Sequence, residues 1–232
     1  MIGRAVWGAL VLLLATASAV PASGRAVQLR ASDGVTLAAT VYEARPGPAV
    51  VLVHMLTRTK EDWRPLAERL QAAGLTALAF DLRGHGQSEG VAAPSAAMAL
   101  DVRAALNWLA DRPDAGSGAV AIVGASIGAS LALLAAADTP AVRGVVLLSP
   151  AADYRGVRIE AAARKYGARP MLLAASGEDP YALRTLRALA GKDQPARQQR
   201  VSAAAAHGSY LLERDTELAA ALVDWLRRTL LS

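Results

Sequence analysis

The sequence predicts an α/β fold, a mostly parallel β-sheet with helices on both faces, opened by an antiparallel N-terminal hairpin. Three observations carry that reading. Two short alternating runs, residues 26–30 and 35–42, flank Ser32-Asp33-Gly34, and Asp-Gly between alternating apolar residues is a strong hairpin signal. Five continuous apolar runs follow, of a length that suits strands buried on both faces. Between them lie segments with apolar residues at helical spacing, so strand and helix alternate to the C-terminus.

Taken in order, the character of the chain changes at Pro46. The apolar runs are residues 49–53, 76–80, 119–123, 144–148 and 171–175, and a short last strand is expected near Gln199-Arg200-Val201. Trp63, Leu66, Ala67 and Leu70 share one helical face that ends at Gly74, a residue suited to a helix stop. Met98, Val102, Ala105, Leu106 and Leu109 form a second face. Leu131 and Leu134 sit among alanines after Ser126. Leu183, Leu186 and Leu189 make another stripe, and Leu218, Leu222, Trp225 and Leu226 close the chain. No internal repeat, low-complexity linker or second domain is visible.

The composition suits one globular domain. The chain has 232 residues, 53% hydrophobic and 19% charged, enough to bury a single large core. Cysteine is absent, which excludes disulfides, Cys-type zinc sites and a thiol nucleophile together. The formal charge of +5 is carried by scattered arginines. With no basic run and no interleaved stacking aromatics, it reads as a solvated surface and not as a nucleic-acid interface.

The first residues stand apart. Arg4 gives a short positive start, residues 6–15 are apolar and uncharged, and Ala17-Ser18-Ala19 supplies small residues. This reads as a secretory signal over residues 1–19, cut after Ala19 and leaving residues 20–232 as the domain. The apolar stretch is shorter than the ~20 residues of a membrane span. The expectation is therefore export, periplasmic or secreted, without stable membrane insertion. The alternative is an uncleaved N-terminal anchor.

Gly124-Ala125-Ser126-Ile127-Gly128 lies between an apolar strand and an Ala/Leu-rich helix. A serine on a sharp strand-to-helix turn lifts its hydroxyl above the sheet, and small neighbours let the backbone pass closely. The next amide, that of Ile127, can donate to an oxyanion formed on attack. The bland alternative is a tight turn with a helix-capping serine.

From residue 27 onward the chain resembles the α/β-hydrolase superfamily. The likeness rests on several motifs in one order. Val50-Val51-Leu52-Val53-His54 resembles the oxyanion strand, and Asp81-Leu82-Arg83-Gly84-His85-Gly86-Gln87-Ser88 matches the D-x-R-G-x-G-x-S loop. The serine elbow follows, then Ser176-Gly177-Glu178-Asp179-Pro180 and Ala206-His207-Gly208. The order Ser, Asp, His is that of the superfamily.

What the resemblance implies is specific. Of three histidines, His207 takes the position of the catalytic base, while His54 shapes the oxyanion loop and His85 sits in a structural turn. Asp179 takes the position of the acid, with Asp153 and Glu178 as alternatives; its bland reading is an N-cap before Pro180. Asp81 reads as structural. The second oxyanion donor falls on the amide of Leu56, with Met55 as the alternative. Met55 stands where the family usually has Gly, so backbone strain is expected there. Residues 150–170 are too few for a large cap, which implies an open site near Met55, Leu56, Ile127 and Tyr154 or Tyr181, as in compact esterases and dienelactone-hydrolase-like enzymes. The implied activity is a serine hydrolase of the carboxylesterase kind, cutting a small ester-like substrate through an acyl-enzyme without metal or organic cofactor. Acyl transfer, thioester cleavage and a non-catalytic binding role stay open beside it.

Overall fold

The computed structural model describes residues 24–44, 46–93, 95–112, 119–191 and 194–231. The expected signal, residues 1–19, lies outside them. Ten strands occur: β1 (Arg25–Arg30), β2 (Thr36–Tyr42), β3 (Ala49–Val53), β4 (Thr76–Phe80), β5 (Val120–Ala125), β6 (Val142–Leu148), β7 (Asp153–Tyr154), β8 (Val157–Arg158), β9 (Met171–Ser176) and β10 (Arg197–Ser202). The helices are α1 (Arg64–Ala72), α2 (Ala99–Ala110), α3 (Ile127–Ala137), α4 (Glu160–Tyr166), α5 (Pro180–Ala190), α6 (Tyr210–Arg214) and α7 (Thr216–Leu231). Eight strands form one sheet in the order β1-β2-β4-β3-β5-β6-β9-β10. The β1–β2 and β2–β4 pairs are antiparallel, and the other pairs of this sheet are parallel.

Because side chains alternate across a strand, each central strand feeds two cores. On β3, Val51 and Val53 join the cluster beneath α2, α3 and α5, which holds Val102, Leu131 and Leu186. Val50 and Leu52 join the opposite one with Leu70 of α1 and Leu222 and Trp225 of α7. All five β3 residues are buried, which is why the run is apolar without alternation. The exposed edge strand β10 is polar instead.

The strand order reverses around β3, with β4 on one side and β5 on the other. In open parallel sheets a crevice forms beyond the carboxyl ends of strands at such a point. Val53 pairs with Gly124, so the loop after His54 and the turn at Ser126 leave the sheet side by side. The two glycines of the serine motif serve close approach. A Cβ on Gly124 would lie 2.2 Å from the Gly128 carbonyl oxygen, and one on Gly128 would lie 2.4 Å from that of Val53. These contacts press the start of α3 against the end of β3.

Residues 150–170 hold the β7–β8 hairpin and the seven-residue α4, both unforeseen. The hairpin turns at Gly156 (φ +86°) and is clamped by Arg158 donating to Asp153 at 2.8 Å.

Candidate active site

Ser126 carries the strain of its turn. Its φ is +53°, a region costly for a side-chain-bearing residue. Its amide donates to the Leu148 carbonyl at 2.9 Å, and its own carbonyl accepts from Ala129 and Ser130. The hydroxyl caps nothing in α3, so the bland alternative does not describe it. Instead Oγ lies 2.9 Å from His207 Nε2, and Nδ1 of the same ring lies 2.7 Å from Asp179 Oδ2.

A carboxylate only accepts, so Nδ1–H donates to it and Nε2 keeps its lone pair for the serine hydroxyl. Asp179 also fulfils its bland reading. Its Oδ1 accepts from the Ala182 amide at 2.9 Å, with Pro180 as the first residue of α5. One carboxylate therefore caps a helix with one oxygen and orients an imidazole with the other.

The alternative acids lie elsewhere. Glu178 is exposed and its amide is held by Ser176 Oγ. Asp153 binds Arg158 and the Gly156 amide, and the Arg158 bond lowers its pKa.

His54 is fully buried. Its Nε2 accepts from the Leu82 amide at 2.9 Å, so Nδ1–H donates to the Met55 carbonyl at 2.8 Å. Burial lowers its pKa to about 4, which keeps the ring neutral and both bonds intact. The Met55 carbonyl also accepts from Arg58. A trans peptide points its N–H opposite to its C=O, so the Leu56 amide faces away from this anchor. Among the described residues neither the Leu56 nor the Ile127 amide donates to another group.

The strain expected at Met55 falls two residues later, on Thr57 at φ +61°. Met55 instead packs its side chain against the loop that carries His207: a Cβ on Gly208 would lie 2.6 Å from its sulfur. Ile127 is core, 1% exposed, so its side chain does not line an open site as expected. Tyr181 is exposed and donates to the Asp153 carbonyl at 2.7 Å.

Asp81 is structural as read. Buried, it accepts from the Lys60 amide and ammonium at 2.7 and 2.9 Å and from the Gln87 amide at 3.0 Å. His85 lies in the same loop, its Nδ1 3.0 Å from the Arg83 carbonyl. Among the described residues no three His, Asp or Glu side chains group as metal ligands. A cleft of about 1250 Å³ between α4 and α5, lined by Ile159, Ala163, Leu189 and Arg197, contains none of Ser126, Asp179 and His207. One contributor escaped sequence reasoning: Ser149, whose hydroxyl accepts from the Gly208 amide at 3.0 Å. A serine closing a strand before proline carries no signal of such a contact.

Known proteins agree with this architecture. The family described as serine aminopeptidase, S33, matches residues 44–208. The chain is 33% identical over 138 residues to the uncharacterised protein Rv2307c of Mycobacterium tuberculosis (strain ATCC 25618 / H37Rv), covering 58% of this chain and 48% of that one. It is 31% identical over 169 residues to the thiohydrolase apmlB of Arthrinium phaeospermum, covering 67% and 53%. The chain thus spans about half the length of these curated relatives. In fold it matches the esterase Pf2001 of Pyrococcus furiosus with a TM-score of 0.76, at 19% identity and covering 90% and 91% of the two chains. A family match across most of the chain, on a sheet of this order with its serine turn at the switch point, leaves one conclusion: the chain belongs to the serine aminopeptidase S33 family of α/β-hydrolases.

Proposed function

We propose that the protein is a serine hydrolase that cleaves small carboxylic esters through an acyl-enzyme. The observation that carries this reading is the unbroken relay from Asp179 through His207 to Ser126, with bonds of 2.7 and 2.9 Å. Ser126 Oγ attacks the carbonyl carbon while His207 Nε2 takes its proton. The oxygen that gains charge is met by the amides of Ile127 and Leu56, and one such donor is worth roughly 10²–10³ in rate. The tetrahedral adduct collapses as His207 returns the proton to the leaving alcohol. Water, losing a proton to the same nitrogen, then releases the acid and frees Ser126. Asp179 holds the ring in the tautomer this sequence needs and stabilises the imidazolium.

Thioester cleavage is the second reading, favoured by the likeness to a thiohydrolase; the same steps apply with a thiol leaving group. The substrate meets the site after export, with residues 1–19 acting as a cleaved signal.

The mature chain from Val20 is tested with p-nitrophenyl acetate, an acetyl thioester and an aminoacyl p-nitroanilide, beside Ser126→Ala and His207→Ala. Ester turnover lost at least 10³-fold in both variants is the expected result. Turnover that survives Ser126→Ala contradicts the reading, and preference for the thioester selects the second one.

A further inference from the structure

We infer that Ser149 is a positioning residue whose hydroxyl holds the His207 loop in reach of Ser126. The inference rests on the serine-hydrolase reading and deepens it. The end of β6 is tied to Ser126, to the strand before Asp179 and to the residue after His207. Leu148 accepts from the Ser126 amide at 2.9 Å, and Ser149 donates its amide to the Ala174 carbonyl at 2.7 Å, on the strand that leads to Asp179. The third tie, Ser149 Oγ accepting from the Gly208 amide at 3.0 Å, reaches the residue beside His207. The first two use backbone alone, and any residue could make them. Only the third needs a side-chain oxygen.

The backbone underlines this. Ser149 has φ +49° and is 1% exposed. Glycine would adopt that conformation without strain, yet a serine stands there, and its hydroxyl satisfies an amide that is otherwise buried without a partner. The loop has little freedom left. Gly208, itself at φ +60°, is hemmed by Met55 and Ala125, whose atoms would lie 2.6 and 3.5 Å from an added Cβ. Met55 bounds the loop on one side and the Ser149 hydroxyl pulls it down on another. The His207 ring is half exposed, so its own packing does little to place it.

Two variants separate the hydroxyl from the backbone. Ser149→Ala keeps the strain and loses the acceptor; Ser149→Gly loses both. If the hydroxyl positions the base, kcat on p-nitrophenyl acetate falls by about tenfold to 10²-fold in both variants, with KM nearly unchanged. The thermal midpoints diverge, with Ser149→Gly the higher. The low-field Nδ1–H proton resonance of His207 broadens in both variants relative to wild type. Wild-type kcat together with an unchanged His207 resonance in Ser149→Gly overturns the inference while leaving the hydrolase reading intact. Wild-type turnover insensitive to Ser126→Ala overturns both.

Discussion

Asp179 shows how one residue can hold two offices. Its two oxygens face different groups, the Ala182 amide and the His207 ring, so the two functions separate by substitution. Asn caps a helix about as well as Asp but lacks the charge that stabilises an imidazolium. Asp179→Asn should therefore lower kcat roughly 10³–10⁴-fold with little change in thermal midpoint. Asp179→Ala should add a stability loss of about 1 kcal/mol, read by urea unfolding. Asp153→Asn and Glu178→Gln should stay within a few-fold of wild-type turnover; a large loss in either would move the acid to that position. At this scale much of the candidate site was legible. Ser126, Asp179 and His207 could be named because strand ends, Gly-rich turns and chain order restrict where such groups sit. The Ser149–Gly208 contact could not, since it joins residues 59 apart in sequence. Nor could the placing of the strain on Thr57 and not on Met55, in a loop whose Met55 carbonyl is held by His54 and Arg58.

Elements were readable in proportion to their burial. The bounds of β3 and β4 coincide with their apolar runs because every residue in them is inside. β10 was seen only as three residues and runs over six, since an edge strand shows polar side chains to solvent. α4 is seven residues long, too short to display a periodic stripe, and β7–β8 is held by an ion pair and a glycine turn that composition does not announce. The loop over residues 81–88 depends on a partner outside itself. Lys60 and Asp81 form a buried pair at 2.9 Å with exposures of 7% and 0%, and the lysine ammonium also donates to Gln87. Removing one member leaves a buried charge uncompensated. Lys60→Met should thus cost about 3–5 kcal/mol in urea unfolding. A loss below ~1 kcal/mol would show that water substitutes for the ammonium and that the loop does not rely on it.

For the whole molecule, the sheet order sets the site and a buried histidine sets part of the pH response. The reversal around β3 brings the ends of β3 and β5 together, so the loop after His54 and the serine turn are neighbours by register and need no further device. Pinning that loop costs acid stability. His54 has a pKa of about 4 when folded against 6.5 as an ordinary imidazole, so the unfolded chain takes up the proton first as pH falls. Its contribution is whole above about pH 6.5, declines below it and is gone near pH 4, in total roughly 3 kcal/mol. Between pH 7.5 and 4.5 the wild type should lose about 2–3 kcal/mol more than His54→Gln; equal losses would show that the ring takes up its proton in the fold as readily as in the unfolded chain. The central claim, an activated serine at position 126, is tested most directly by intact-mass and peptide mapping after treatment with a fluorophosphonate. The account predicts one phosphonyl adduct, on Ser126, formed in the wild type, absent from Ser126→Ala and strongly slowed in His207→Ala. A folded wild-type protein that stays unlabelled, or carries its adduct on another residue, would contradict it.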